Sequence, residues 1–216
     1  MPVYCETALN WLGTFPAEPI NTITSFVPVA TGLLALLYLL RRRERNAVAY
    51  TLAGLTIMTG LGSVAWHATR TSLALTVDAL PGVAYFIVIA FFWLYAIGNR
   101  WIAVAFSAVF AVMVFLVPRV EGVFTVFLIS VVVTAIGLVV ATWYRNRPAF
   151  GFAALAVGAG LIAVTMRTLD SRVCDLIPFG THFLWHVFLG IAAYAGVRLM
   201  LLLRPRASGQ GPTRSG

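Results

Sequence analysis

INTITSFVPVATGLLALLYLL, residues 20–40, runs directly into RRRER, residues 41–45. These 21 residues carry no charge, and about 20 such residues let an α-helix cross some 30 Å of hydrocarbon. The arginine cluster that stops the run is the mark of a cytoplasmic border. The same pattern recurs along the chain. Apolar runs near Ala47–His67, Leu73–Ile97, Trp101–Pro118, Val123–Trp143, Ala149–Arg167 and Pro178–Leu203, with Ile20–Leu40, give seven predicted helices. Composition agrees: of 216 residues, 61% are hydrophobic and 10% charged, against about 25% charged in soluble domains. So few charges cannot cover a water-facing surface. No period-two alternation appears, which excludes a transmembrane β-barrel. The expected fold is an all-α integral membrane protein with seven transmembrane helices. Gly54, Gly60, Gly62, Gly158 and Gly160 are small enough to let those helices approach closely.

The net charge is +8, and all 15 basic residues are arginines. Most lie in short loops, with no aromatic-basic groove and no separate polar domain, so a nucleic-acid partner is excluded. Nor is an obligate protein partner evident. Arg41, Arg42, Arg43, Arg45, Arg100, Arg145, Arg147, Arg198, Arg204, Arg206 and Arg214 fall on one side of the predicted bundle. Only Arg70, Arg119, Arg167 and Arg172 fall on the other. The positive-inside rule then places the N-terminus outside and the C-terminus in the cytoplasm. Three regions follow: an extracytoplasmic segment over residues 1–19, a membrane domain over 20–203 and a disordered cytoplasmic tail over 204–216, rich in Gly, Pro, Ser and Arg. Met1–Pro19 lacks the positive start of a cleavable signal peptide, so it is expected to be retained. Cys5 and Cys174 both face the oxidising outer side in this topology. Topology alone leaves two readings open, a bridge or two free thiols.

Ionisable residues inside a bilayer are costly and usually functional. The predicted spans hold His67, Asp78, His182 and His186, together with Arg198, which is near enough to a helix end to snorkel to the interface. The three histidines are the only ones in the chain. Counted from the outer surface at about 1.5 Å per residue, His67 lies roughly 5 Å down, Asp78 and Ser63 roughly 10 Å, His182 about 6 Å and His186 about 12 Å. His182 and His186, four apart, share one helix face, as do Ser63 and His67. Three imidazoles without a nearby thiolate suit zinc and leave a fourth position for water, whose pKa the ion lowers to about 7. Asp78 is a candidate general base and acid, or the partner that fixes a histidine's tautomer. Ser63 is a candidate for stabilising the oxyanion or orienting the water. Blander readings exist. A histidine pair at this spacing is often only hydrogen-bonded, and a membrane serine often bonds its own backbone.

Taken in order, the residues resemble the alkaline ceramidase family, within the seven-helix membrane hydrolases that include the adiponectin receptors. The resemblance rests on Tyr4-Cys5-Glu6, Glu18, Asn21-Thr22-Ile23-Thr24-Ser25, Gly62-Ser63-Val64-Ala65-Trp66-His67-Ala68-Thr69, Asp78-Ala79-Leu80-Pro81, Leu169-Asp170-Ser171-Arg172-Val173-Cys174 and His182-Phe183-Leu184-Trp185-His186. It implies that His67, His182 and His186 bind zinc, that Ser63 and Asp78 assist, and that the reaction is amide hydrolysis of ceramide to a sphingoid base and a fatty acid. It also implies a Cys5–Cys174 disulfide, and a calcium site at Glu6 and Glu18. That site is depleted, because Val3 and Ala8 stand where the family has Asp and Asn. Ala79 stands where the family often has Glu. Short loops and the all-arginine composition point to a bacterial inner-membrane relative with its site near the periplasmic face, acting on ceramide or another N-acyl lipid. Two other functions fit the residues: a receptor or transporter with a structural zinc, Asp78 being its fourth ligand, or an ester or phospholipid hydrolase of this architecture.

Overall fold

Polar caps cut the chain where its apolar runs end. Asn46 accepts the Ala49 N–H at 3.1 Å, Thr71 that of Ala74 at 3.3 Å, and Asn146 that of Ala149 at 3.3 Å. Each satisfies a donor that the start of a helix leaves without an internal partner. The computed structural model describes residues 3–9, 13, 15–116 and 123–203, with 115–116 and 123–127 described by backbone alone. It contains α1 (Cys5–Ala8), α2 (Pro19–Thr24), α3 (Phe26–Arg41), α4 (Ala47–Thr69), α5 (Ser72–Ile97), α6 (Arg100–Leu116), α7 (Val123–Arg145), α8 (Arg147–Leu169), a 3-10 turn over Asp170–Arg172, and α9 (His182–Leu202). Among the described residues there is no strand.

Six segments are long and apolar enough to cross a membrane: residues 19–41 (α2 with α3), α4, α5, 128–145 of α7, 147–172 (α8 with the turn) and α9. The protein is therefore a multi-pass membrane protein. The expected fourth helix appears as α6, apolar but shorter than the others, so the described residues hold six candidate spans where seven were expected. Its predicted end at Pro118, Arg119 beyond it, and the tail from Arg204 to Gly216 lie outside the described residues.

The first span is two helices. Ser25 ends α2 and begins α3. Three residues on, Pro28 has no N–H to give to Thr24, and the Thr22, Thr24 and Ser25 hydroxyls donate to the Glu18, Ile20 and Asn21 carbonyls. The last span begins at His182, four residues after the expected Pro178. Gly180, at φ +70°, turns the chain in a conformation that side chains resist. His182 is thus the first residue of α9, not one turn inside it.

α9 packs against α8, α3 and α4, and α4 lies between α3 and α5. At one end of the bundle Leu39, Leu52, Trp93, Leu138, Val197, Leu199 and Met200 form an apolar core. The side-chain amides of Asn46 and Asn146 close that end by donating to the Met200 and Leu202 carbonyls at 3.1 and 3.0 Å. Arg198 does not simply reach for the interface. It is half-buried, with its guanidinium 4.1 Å from the Tyr38 ring centre and 4.7 Å from that of Phe152. Of the five expected small-residue contacts, Gly60 and Gly62 make close approaches, while Gly54, Gly158 and Gly160 face open space. The other end of the bundle is polar, and the histidines are there.

Candidate metal centre

The end of α4 is held by the segment before α2. The Ala17 and Glu18 N–H groups donate to the Ala68 and His67 carbonyls, each at 3.0 Å, filling acceptors that a helix C-terminus leaves unpaired. Arg70 closes the helix in the left-handed conformation, φ 53°. This docking sets Glu18 against His67, and its Oε2 accepts the His67 Nδ1–H in a short contact. The imidazole then keeps its Nε2 lone pair free. Thr24 does the same for His186. Its hydroxyl donates to the Ile20 carbonyl at 2.8 Å, so its oxygen is the acceptor for His186 Nδ1 at 2.9 Å.

His67, His182 and His186 are 1, 2 and 1% exposed. Their rings form a near-equilateral triangle, with centres 5.1 Å apart for His67–His182 and 4.9 Å for each pair with His186. One ring nitrogen from each lies within 4.8 Å of the others. Tyr4 stacks on His182 at 3.8 Å, inclined 21°. His182 Nδ1 is buried with no hydrogen-bond partner among the described residues, a costly state for a buried polar atom. An all-imidazole donor set with such an atom fits a borderline metal such as zinc. Among the described residues the cluster that could hold a metal comprises these three histidines and no carboxylate.

The Ser63 hydroxyl lies 3.4 Å from His186 Nε2 and 3.1 Å from the Ser25 hydroxyl. Asp78 sits beside Ser63 on the adjoining helix α5. That proximity has a backbone cause. Pro81, inside α5, has no N–H to offer the Val77 carbonyl four residues back. Gly62 of α4 fills the space, and a Cβ there would come within 2.6 Å of the Val77 carbonyl carbon and 2.7 Å of Asp78 Cα. Glycine at 62 is what lets α5 bring Asp78 to Ser63.

The structure thus brings Ser63, His67, Asp78, His182 and His186 to one end of the bundle. The disulfide implied by the resemblance is present, Cys5 bonded to Cys174. The expected calcium ligands have other partners. Glu6 receives the Ile20 N–H at 2.6 Å and the Asn21 N–H at 2.9 Å, capping α2. Glu18 receives His67, the Thr7 hydroxyl and the Asn21 amide at 3.3 Å, and forms an ion pair with Arg70, Nη1 to Oε1 2.9 Å. Each of the four carboxylate oxygens accepts from at least one protein donor. Burial pushes the Glu6 carboxyl up, against the pull of its two backbone donors. Burial also opposes ionisation of Glu18, but hydrogen bonds from His67 and Thr7 and the Arg70 charge outweigh it and hold the carboxyl below its usual range.

Glu18 and Thr24 had no sequence-based role as histidine partners. The available signal was a lone acid beside the first span, in a segment whose docking only the fold reveals. Glu18→Ala is expected to weaken metal binding by the purified protein about 10–100-fold. It should also lower stability by about 3–5 kcal/mol, because Arg70 loses its buried carboxylate. Metal titration and thermal unfolding check both, and an unchanged affinity removes Glu18 from this role.

A family model described as Ceramidase matches residues 3–215. No curated protein matches the chain significantly.

Proposed function

The chain belongs to the ceramidase family, and from that premise we propose that it is a zinc-dependent intramembrane amidase. Its substrate is ceramide or a related N-acyl lipid, split into a fatty acid and a free amine. The observation that carries this reading is the triangle of three buried imidazoles with Ser63 and Asp78 at its edge and no carboxylate in the donor set. A closed structural site would need a fourth protein ligand, and Asp78 is not among the clustered donors.

His67, His182 and His186 would hold the zinc. When bound, it supplies Lewis acidity and brings the pKa of a coordinated water to about 7. Glu18 and Thr24 keep His67 and His186 in the tautomer that presents Nε2. Asp78 accepts a proton as water adds to the amide carbonyl and returns it to the amine nitrogen that leaves, so the proton count closes. The Ser63 hydroxyl donates to the oxygen on which negative charge develops. The acyl chain lies between helices in the bilayer, with the amide at the level of the histidines.

The domain spans residues 20–203, with α6 as the fourth of seven crossings, residues 1–19 outside and 204–216 in the cytoplasm. The arginine bias supports this orientation. The Cys5–Cys174 bond supports it independently, because it lies at the histidine end and a disulfide belongs on the oxidising side. In a bacterium that side is the periplasm. Glu6 and Glu18 are assigned to structure, not to calcium.

The test is product analysis by mass spectrometry after the zinc-loaded protein is incubated in detergent with ceramide, other N-acyl lipids and an ester of matched chain length. Equal amounts of fatty acid and amine from an amide are expected. Release from the ester alone would replace the amidase with an esterase of the same architecture. No release from any of them by folded, zinc-replete protein would remove the hydrolase.

A further inference from the structure

Asp170 lies between α8 and α9, 1% exposed, and takes no part in the chemistry above. Its Oδ1 accepts the N–H groups of Thr181 at 2.7 Å and His182 at 2.8 Å, and its Oδ2 accepts that of Cys5 at 2.9 Å. Three backbone donors from two distant segments converge on one carboxylate.

The first donors of a helix need an acceptor from outside the helix, and the residue just before it usually provides one. Thr181 does not, since its hydroxyl donates instead to the Met166 carbonyl at 2.6 Å. The cap of α9 is Asp170, reaching from the end of α8. One of the N–H groups it binds belongs to His182 itself, and His186 lies one turn further on the same face. The carboxylate therefore sets where both histidines begin. Gly180 permits the approach, because a Cβ there would fall 2.8 Å from Asp170 Cγ.

The other oxygen holds the N-terminal segment. Cys5 opens α1, its neighbour Tyr4 stacks on His182, and Glu6 caps α2. Glu18 and α2 in turn supply the partners of His67 and His186. One buried carboxylate thus locks the two histidines of α9 to the segment that orients His67 and His186.

We propose that Asp170 is a positioning residue of the metal centre, holding His182 and His186 in register with the N-terminal segment. This rests on the zinc reading given above. The full-length protein in detergent is stripped of metal and titrated with zinc against a chromophoric chelator. Its cobalt(II) form is examined by visible absorption. Asp170→Asn keeps an acceptor for Thr181 and His182 but sets an amide N–H2 against the Cys5 N–H. Zinc affinity should fall about tenfold. Asp170→Ala loses all three acceptors, and the fall should reach about a hundredfold, of the size seen when a ligand's support is removed. The cobalt ligand-field bands should change in both. Leu52→Ala, in the apolar core at the far end, is the control for lost stability and should leave zinc affinity as it was.

Either Asp170 variant, folded, binding zinc as tightly as the unmutated protein with unchanged cobalt bands overturns the proposal. So does an equal loss in Leu52→Ala. If Asp170→Ala does not fold, the Asp170→Asn result decides. Failure of the zinc reading looks different, since the unmutated protein itself would then bind no zinc.

Discussion

His186→Ala is expected to leave the protein with neither bound zinc nor amidase activity. Among the described residues, the imidazole is one of the three clustered nitrogen donors that could hold a common ion. It is also the ring to which both Thr24 and Ser63 are aligned. Two histidines hold zinc far more weakly than three, and the alanine leaves a gap that water fills without restoring a fixed donor. The packing loss should be modest by comparison, because the apolar core of the bundle lies at the opposite end. Metal analysis of the purified variant should find zinc well below one per chain, with helix content by circular dichroism close to that of the unmutated protein. A His186→Ala protein that retains stoichiometric zinc would show that the ion is held elsewhere, and the assignment of all three histidines would go with it.

Asp78→Asn separates chemistry from metal binding. The asparagine has the shape of aspartate, so α5 should keep its approach to Gly62 and the variant should bind zinc normally. What it lacks is the ability to take a proton and give it back. General acid–base groups contribute roughly 10²–10⁴ in rate, about 2.7–5.5 kcal/mol of barrier, and kcat should fall by that factor with little change in KM. Zinc content measured beside kcat and KM decides the matter. Full activity in Asp78→Asn would remove the proton-transfer role, while loss of zinc would make Asp78 a ligand and favour a structural site.

The histidines and Asp78 could be picked out from the sequence because ionisable side chains are rare in apolar helices and therefore conspicuous, and Ser63 because it stands four residues before His67 on the same helix face. His182 and His186 carry their own geometry, since four residues bring a helix back to the same face. The partners of those histidines were not legible in the same way. Glu18, Thr24 and Arg70 act across 49, 162 and 52 residues of chain on His67, His186 and Glu18. No local period relates such positions. The expected start of α9 at Pro178 failed for the same reason, because its cap is a carboxylate 12 residues before His182. The protein donors that Glu6 and Glu18 accept from also arrive only with the fold.

The sequence alone determined that this is an all-helical membrane protein and which titratable groups lie within its apolar runs. These properties follow from composition and from the 3.6-residue period, both local. The tertiary structure decided that the three imidazoles cluster, that Glu18 and Thr24 bond Nδ1 of His67 and His186, and that Asp78 stands beside Ser63. Those outcomes depend on the close approach of α4 to α5 at Gly62, on the turn at Gly180 beside Asp170, and on buried carboxylates that collect donors from distant segments. Such contacts are chosen by packing in three dimensions, where separation along the chain carries no information.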